Sequence, residues 1–199
     1  MSITASQVKE LREITGAPMM ECKQALTEAK GDKEVAIKIL RTQGLAAAKR
    51  KSGRTTSEGL IISYIHLNDK LGVLLEINCE TDFVARTPEF KELGNNIAMQ
   101  IAASKPRYIK REDIPVEELR AEEEIYREQA RASGKPEQVW DKIAKGRMEK
   151  YFKEVCLLEQ PYIRDPDITV SELIASKIAM IRENITVARF ARFEMGERE

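Results

Sequence analysis

Apolar positions recur every three or four residues over the first fifty residues, which predicts three short helices. A capping box that starts at Thr4 begins the first helix, and Gly16 stands where that helix should end. Asp32 is placed to cap the third helix, which Gly44 is expected to close. The pattern therefore predicts a small three-helix domain over residues 1–50.

The hydrophobic period changes to two after a charged, Ser- and Thr-rich segment at residues 51–58, which we interpret as a linker. Residues 60–66 and 73–80 have the alternation of β-strands, and the polar residues 67–70 between them suit a hairpin loop. A third run at residues 185–194 is β-branched and aromatic, which is typical of a strand. These runs predict a small antiparallel three-stranded sheet.

Helical spacing returns between the strands. An apolar stripe follows residues 88–104, and two charge-rich helices over about residues 116–153 are expected to form an antiparallel hairpin. A further helix is expected between this hairpin and the final strand. Strands separated by helices, with one strand hairpin, indicate an α+β core over residues 59–199.

The composition suits a folded, hydrated protein with no excess of either charge. Lys plus Arg and Asp plus Glu each total 33 of the 199 residues, so the formal net charge is zero. Nucleic-acid binders usually carry a basic excess, so we expect no direct nucleic-acid binding and interpret the basic stretch at residues 49–54 as a solvated linker. No apolar run approaches the roughly 20 residues that span a bilayer. We therefore expect no membrane contact.

Cysteine and histidine usage argues against catalysis and metal binding. The cysteines Cys22, Cys79 and Cys156 lie far apart and form no CxxC pair, which is typical of a reduced cytoplasmic protein. His66 is the only histidine, so paired-histidine zinc sites are excluded. Phosphate-binding loops, dinucleotide fingerprints and GxSxG motifs are also missing. The residues alone predict a cytoplasmic binding protein that is not an enzyme, binds no metal and needs no cofactor.

Two segments resemble one known family. Residues 11–26, LREITGAPMMECKQAL, resemble the N-terminal signature of elongation factor Ts, and residues 79–86, CETDFVAR, resemble the second signature of that family. The similarity continues to the ending RFE at residues 192–194. Pro18 stands where the family usually has glycine, and because proline fits a first helical turn, we expect it to stiffen the loop.

The resemblance implies a function in translation elongation. Members of the family are guanine-nucleotide exchange factors that bind elongation factor Tu in its GDP-bound and nucleotide-free forms. It also implies that the three helices form a domain similar to ubiquitin-associated domains, with Arg12, Met19 and Met20 docking on the GTPase. On spacing alone, Met19 joins the buried stripe with Cys22, whereas Met20 lies off that stripe.

The TDFVA segment is implied to act on the partner's nucleotide site. Phe83 would insert as a wedge between two helices of elongation factor Tu, and Asp82 would disturb the Mg²⁺ that holds GDP. Val84 and Ala85 would complete the hydrophobic edge of this tip. From the residues alone, Phe83 is equally well a core residue after a strand, and Asp82 is more simply a turn cap. His66, in the context SYIH, resembles a weaker partner-contact position.

Some members of the family are short and have a single core, and the resemblance implies that such members self-associate. This chain has one predicted strand hairpin, one TDFVA segment and one final strand, so we expect a homodimer through the core. Phe190 and Phe193 of the last strand are the expected symmetric edge. Two other functions stay open: an adaptor that binds folded partners through the helical domain, and an RNA-binding translation factor that uses residues 49–54.

Overall fold

The computed structural model describes residues 3–134 and 136–197, and within these ranges it holds eight α-helices and five β-strands. The helices are α1 (Ala5–Thr15), α2 (Met19–Glu28), α3 (Lys33–Lys51), α4 (Asp82–Ala85), α5 (Pro88–Ser104), α6 (Val116–Ala132), α7 (Trp140–Val155) and α8 (Val170–Ile181). The strands are β1 (Glu58–Ile65), β2 (Leu71–Cys79), β3 (Pro161–Tyr162), β4 (Asp165–Thr169) and β5 (Ile185–Glu194).

Two compact units are described separately. The first consists of the chain up to Ser63 together with Leu74–Asn96 and Ser171–Phe190. The second consists of Tyr64–Val73 and Ile97–Val170, together with the chain from Ala191 onward. The N-terminal helices, the TDFVA segment and most of α8 therefore belong to the first unit.

Three strands form the small antiparallel sheet that the sequence predicts, in the order β1-β2-β5. The central strand β2 buries every second residue, as its alternating pattern requires. The α+β fold class is confirmed. The sequence analysis missed a second, two-stranded sheet in which β3 pairs antiparallel with β4. These strands are short and contain proline and aspartate, residues that are depleted in strands, so no β-pattern marks them.

The first helix begins and ends as the sequence predicts, and the third helix begins as predicted. The Thr4 side chain accepts a hydrogen bond from the backbone N–H of Gln7 at 3.3 Å, which completes the capping box of α1. Gly16 ends α1 with φ 65°, a left-handed conformation that favours glycine. Asp32 caps α3 by accepting from the N–H of Val35 at 3.0 Å. One apolar cluster holds the three helices together, and its buried members are Val8, Leu11, Cys22, Ala25, Leu26, Ala29, Ala36 and Leu40.

The prediction that Gly44 closes α3 is wrong, because the helix continues to Lys51. Gly44 is buried within α3, and a Cβ atom there would lie 3.8 Å from both the carbonyl oxygen of Ala175 and the Cβ of Ala179 on α8. The glycine therefore serves close helix packing rather than helix termination. Residues 49–51, which the basic stretch placed in a linker, form the last turn of α3.

In the second unit, α6 packs against α7 as the charge-rich sequence predicts. Glu118 at the start of α6 accepts hydrogen bonds from Tyr108 at 2.6 Å, from Arg107 at 2.8 Å and from Tyr151. Arg111 pairs with Glu149 at 2.7 Å, and its guanidinium lies 4.1 Å from the centre of the Phe152 ring. The start of α6 and the C-terminal part of α7 are therefore held together by charge-assisted hydrogen bonds as well as by apolar contacts.

Candidate functional site

The TDFVA segment leaves β2 and turns at once into the single-turn helix α4. Thr81 is the N-cap, with extended φ and ψ of −130° and 151°. Its hydroxyl oxygen accepts from the N–H of Val84 at 3.3 Å. Thr87 closes the other end by donating its hydroxyl to the carbonyl of Val84 at 2.8 Å. We call residues 81–87 the tip.

Phe83 points outward from the tip and is 78% exposed. The alternative interpretation, in which Phe83 is a core residue after a strand, is wrong for this structure. Burial of a Phe side chain contributes about 1.5–3 kcal/mol of stabilising free energy, and the exposed Phe83 ring does not make this contribution to the fold. A large apolar side chain held in water on an ordered turn is typical of a contact for a partner.

The neighbours of Phe83 in the tip are either buried or ion-paired. Val84 is 7% exposed and Ala85 is 4% exposed, so both face the protein interior and fasten the tip. Asp82 is exposed, and its carboxylate accepts from the Arg86 guanidinium at 2.8 Å across one helical turn. The turn-cap interpretation of Asp82 is not observed, because Thr81 caps α4. The tip thus presents one aromatic ring and one paired carboxylate to solvent.

The residues of the N-terminal helices that are predicted to dock also lie at the surface. Arg12 is exposed on α1, and Met20 is 72% exposed at the start of α2. Met19 is 46% exposed, so the prediction that it joins the buried stripe is wrong. Met19 and Met20 lie in the first turn of α2, before the point at which Cys22 reaches the helical core.

The loop between α1 and α2 is held rigid by side-chain hydrogen bonds. The Thr15 hydroxyl donates to the carbonyl of Leu11 at 2.7 Å and accepts from the N–H of Ala17 at 3.3 Å. The Cys22 thiol donates to the carbonyl of Ala17 at 3.5 Å. Ile14, which the sequence analysis did not select, is 54% exposed in the last turn of α1. The exposed side chains of Arg12, Ile14, Met19 and Met20 are therefore presented on a fixed loop.

His66 lies at the end of β1 in the second unit. Its Nδ1 atom is 2.9 Å from the Tyr64 hydroxyl, and the two rings are tilted with centroids 6.2 Å apart. The backbone N–H of His66 donates to the carbonyl of Leu71 at 2.9 Å, which closes the β1–β2 hairpin. The imidazole is exposed and its contacts are local, which is what a hairpin-loop residue shows.

Potential metal ligands do not cluster among the described residues, and the cysteines are buried. Over residues 3–134 and 136–197, no group of three or more His, Cys, Asp or Glu side chains is arranged to hold a metal ion. The three thiols are buried, and burial raises the pKa of Cys79 and raises the pKa of Cys156 to about 11. Across the same residues no helix is both long and apolar enough to cross a bilayer.

The residue that supports the tip is not predicted by the sequence pattern. Glu183, in the turn between α8 and β5, accepts from the N–H of Thr81 at 3.0 Å and from the Thr81 hydroxyl at 2.7 Å. The two residues are 102 positions apart in the chain. No local pattern of charge or hydrophobicity connects them, so only the folded chain reveals the contact.

Comparison with known proteins gives one family for the whole chain. The family model described as Elongation factor TS matches residues 3–197. Elongation factor Ts of Carboxydothermus hydrogenoformans is 60% identical over 195 residues, which cover 98% of this chain and 90% of that protein. Elongation factor Ts of Fervidobacterium nodosum is 58% identical over 197 residues, covering 99% of this chain and 100% of that protein.

Proposed function

Because the chain belongs to the elongation factor Ts family and is therefore a translation elongation factor, we propose that it acts as a guanine-nucleotide exchange factor. In this proposal it binds elongation factor Tu with GDP bound, promotes the release of GDP and leaves when GTP binds. It makes and breaks no covalent bond, so it is not an enzyme in the chemical sense. We expect it to work in the cytoplasm, where elongation takes place.

The observation that carries the proposal is the exposure of Phe83 on a tip whose other apolar residues are buried. Burial of the Phe83 ring between two helices of the partner would contribute about 1.5–3 kcal/mol. Since each 1.4 kcal/mol or so is a factor of ten in an equilibrium constant, one buried ring can weaken GDP binding by one to two powers of ten. The linkage is reciprocal, so bound GDP weakens the binding of the factor to elongation factor Tu to the same degree.

Asp82 has a separate role in this proposal. Mg²⁺ tolerates little departure from octahedral geometry and is held largely through waters and substrate phosphates. A carboxylate brought beside those ligands competes for the waters and repels the partner's own carboxylates. Asp82 is exposed and keeps its charge balanced by Arg86 until the partner is bound. Val84 and Ala85 serve as the buried base that carries Asp82 and Phe83 to the partner.

Docking is assigned to a different surface from release. We propose that residues 1–50 form the docking domain, that residues 51–58 connect it to the core, and that residues 59–199 form the core. Arg12 and Met20 are exposed beside the rigid α1–α2 loop, and Met19 adds a half-exposed side chain. Methionine side chains adapt to a partner surface, which suits a docking contact. His66 stays a weaker candidate contact, since its observed partners are within its own hairpin.

We also propose a homodimer through the core. The strand β5 is at one edge of the sheet, where its backbone can pair with a second copy. Near the end of β5, Phe193 is 65% exposed and Met195 is 75% exposed. Phe190 on the same strand is only partly buried. Two apolar side chains at a sheet edge support a symmetric contact between copies of the chain.

The experiment that tests the assignment of roles compares wild-type protein with Phe83→Ala. Loss of the ring is expected to lower factor-stimulated GDP release by about 10- to 100-fold, because the wedge contributes about 1.5–3 kcal/mol. Binding to GDP-loaded elongation factor Tu through the docking domain should change far less. Release is followed with a fluorescent GDP, and binding by calorimetry. If Phe83→Ala stimulates release as well as the wild-type protein does, the wedge assignment is wrong.

A further inference from the structure

The tip cannot hold its own shape. α4 contains four residues, and an isolated helical turn is unstable because its nucleus fixes several dihedral angles for one hydrogen bond. Phe83 contributes no anchoring, since it is 78% exposed. The orientation of the ring therefore depends on the burial of Val84 and Ala85 and on what fixes the two ends of the turn. At the C-terminal end that residue is Thr87, and at the N-terminal end it is Thr81.

Thr81 is fixed by a carboxylate from the far end of the chain. Glu183 accepts the backbone N–H of Thr81 on one oxygen at 3.0 Å and the Thr81 hydroxyl on the other at 2.7 Å. Because that hydroxyl donates to Glu183, its oxygen is left to accept from the N–H of Val84. A relay of hydrogen bonds thus runs from Glu183 through Thr81 into α4. Hydrogen bonds to an ionised carboxylate are about twice as strong as neutral ones.

The turn that carries Glu183 is itself strongly constrained. Arg182 has φ 67°, a left-handed conformation that non-glycine residues rarely adopt. Asn184 is 2% exposed, and its backbone N–H donates to Glu80 at 2.6 Å. Its side-chain amide donates to the carbonyl of Arg54 at 2.8 Å. Glu183 therefore stands between a strained residue and a buried one, in a turn with little freedom to move.

The helix that ends at this turn also touches the docking domain. Arg41 on α3 makes two hydrogen bonds to Glu172 near the start of α8, at 2.9 and 2.5 Å. At the other end of α8, the sulfur of Met180 lies 3.2 Å from the position of a Cβ on Gly16, which ends α1. Gly44 allows the middle of α3 to approach α8 closely. One helix thus contacts the docking domain along its length and ends at the support of the tip.

From these contacts we infer that Glu183 is a positioning residue for nucleotide exchange. It fixes Thr81, and through Thr81 it holds α4 so that Phe83 stands in a defined place relative to α8 and the docking helices. This inference rests on the proposed exchange function. When Glu183 is removed, docking through Arg12 and Met20 is retained, but the tip spends less of its time in the competent orientation. If the competent fraction falls to a tenth, stimulated release falls tenfold at the same docking affinity.

The first test is Glu183→Ala, measured as factor-stimulated release of fluorescent GDP. The expected result is a loss of roughly tenfold in the release rate at saturating factor, with a change of less than about twofold in the affinity for GDP-loaded partner. The matched control is Glu76→Ala, which removes a carboxylate bonded to Arg189 at 2.7 Å and does not touch Thr81. Unchanged release by Glu183→Ala, or an equal loss in the control, would overturn the inference.

A double-mutant cycle tests whether Glu183 acts through Thr81. Thr81→Val removes the hydroxyl and keeps the branched side chain. If the two residues act as one relay, Glu183→Ala combined with Thr81→Val loses no more activity than the worse single variant. Independent effects that multiply in the double variant would contradict a shared path. Thr81→Ser retains the hydroxyl and should retain most of the wild-type rate.

Amide hydrogen exchange on the unbound protein separates this inference from the proposed function. In Glu183→Ala the amides of Val84 and Ala85 should exchange at least tenfold faster, while amides in the middle of β2 keep wild-type protection. If wild-type protein does not accelerate GDP release, the proposed function is wrong. The amide hydrogen-exchange rates still decide whether Glu183 orders the tip. If release is accelerated but tip protection is unchanged in Glu183→Ala, only the positioning inference is wrong.

Discussion

At the scale of single residues, exposure separates side chains that hold the fold from side chains that are free to contact a partner. The TDFVA segment illustrates the division, since Val84 and Ala85 are buried and Phe83 is not. The first signature is divided in the same way, with Leu11 and Cys22 fully buried beside exposed methionines. Neighbouring residues in both segments thus have opposite surroundings, and substitutions at each should have different consequences.

Met20→Ala should weaken docking while leaving the release step intact. Met20 is 72% exposed, so its loss costs the unbound protein little stability. Burial of the side chain against the partner is worth about 1.5–3 kcal/mol, so affinity for GDP-loaded elongation factor Tu should fall by about tenfold or more. The release rate at saturating factor should stay within about twofold of wild type.

Calorimetry and fluorescent-GDP release measure these two quantities separately. The control is Val35→Ala, which truncates an exposed apolar side chain on α3 that has no proposed partner contact. Equal losses of affinity in the two variants would count against a specific docking surface at Met20.

Individual residues also show which structural features can be predicted from the sequence and which cannot. The buried positions of α1 and α2 follow from helical spacing, because the period of 3.6 selects one face. The exposure of Phe83 does not follow from the pattern, which fits a core residue as well. It emerges only because Thr81 caps α4 and turns the chain before Phe83 can point inward. Glu183 could not be predicted at all, since its partner is 102 positions away.

At the scale of secondary-structure elements, helix termini were predictable where a local signal decides them. The capping box at Thr4 and the left-handed Gly16 bound α1, because both act through hydrogen bonds a few residues away. Gly44 was misleading, since its reason is contact with α8 rather than a change of backbone direction. The short β3–β4 hairpin gave no β-pattern. Local signals thus predict elements well, and tertiary contacts decide the exceptions.

Glu118 gives a prediction for the α6–α7 pair. Hydrogen bonds from Tyr108 and then from Tyr151 hold the pKa of the Glu118 carboxyl below its ordinary value. A carboxyl with a lowered pKa in the folded state stabilises the protein at pH values above its unfolded pKa of about 4.3. That contribution is lost as the pH falls through the folded pKa, so the window lies below about pH 4.3.

Glu118→Gln should therefore lower the free energy of unfolding near neutral pH by about 1.5–3 kcal/mol, the range for hydrogen bonds to a charged group. The difference from wild type should shrink as the pH falls toward 3. Urea unfolding at several pH values measures it, with Glu112→Gln, an exposed carboxyl, as the control. A difference that stays constant down to pH 3 would show that the charge of Glu118 contributes nothing.

At the scale of the whole molecule, the proposed function requires that the docking surface and the tip be held in fixed positions by the same folded structure. The helices proposed to dock, most of α8 and the tip belong to one compact unit. Binding at one surface is therefore connected with placement of the other. The fold class and the family follow from the sequence, through strand and helix periods and through two signatures. The connection through α8 does not, because it depends on contacts between residues more than a hundred positions apart.

The proposed homodimer is also tested at this scale. Sedimentation equilibrium of the wild-type protein should give twice the chain mass, and Phe193→Asp should give the mass of one chain. A charge placed on an apolar contact strongly disfavours burial, so the dissociation constant should rise by at least a hundredfold. Phe83→Asp is the matched control, because it places the same charge on another exposed phenylalanine, which lies on the tip. A wild-type protein that sediments as one chain contradicts the dimer.

Every role proposed for this protein depends on its acceleration of GDP release, which a fluorescent nucleotide measures. Elongation factor Tu is loaded with fluorescent GDP, mixed with excess unlabelled GDP, and the loss of signal is followed with and without the wild-type protein. We expect the protein to raise the GDP dissociation rate at least tenfold, and to do so when present in less than equimolar amounts. A dissociation rate that stays unchanged, at concentrations where calorimetry shows the two proteins bound, would contradict it.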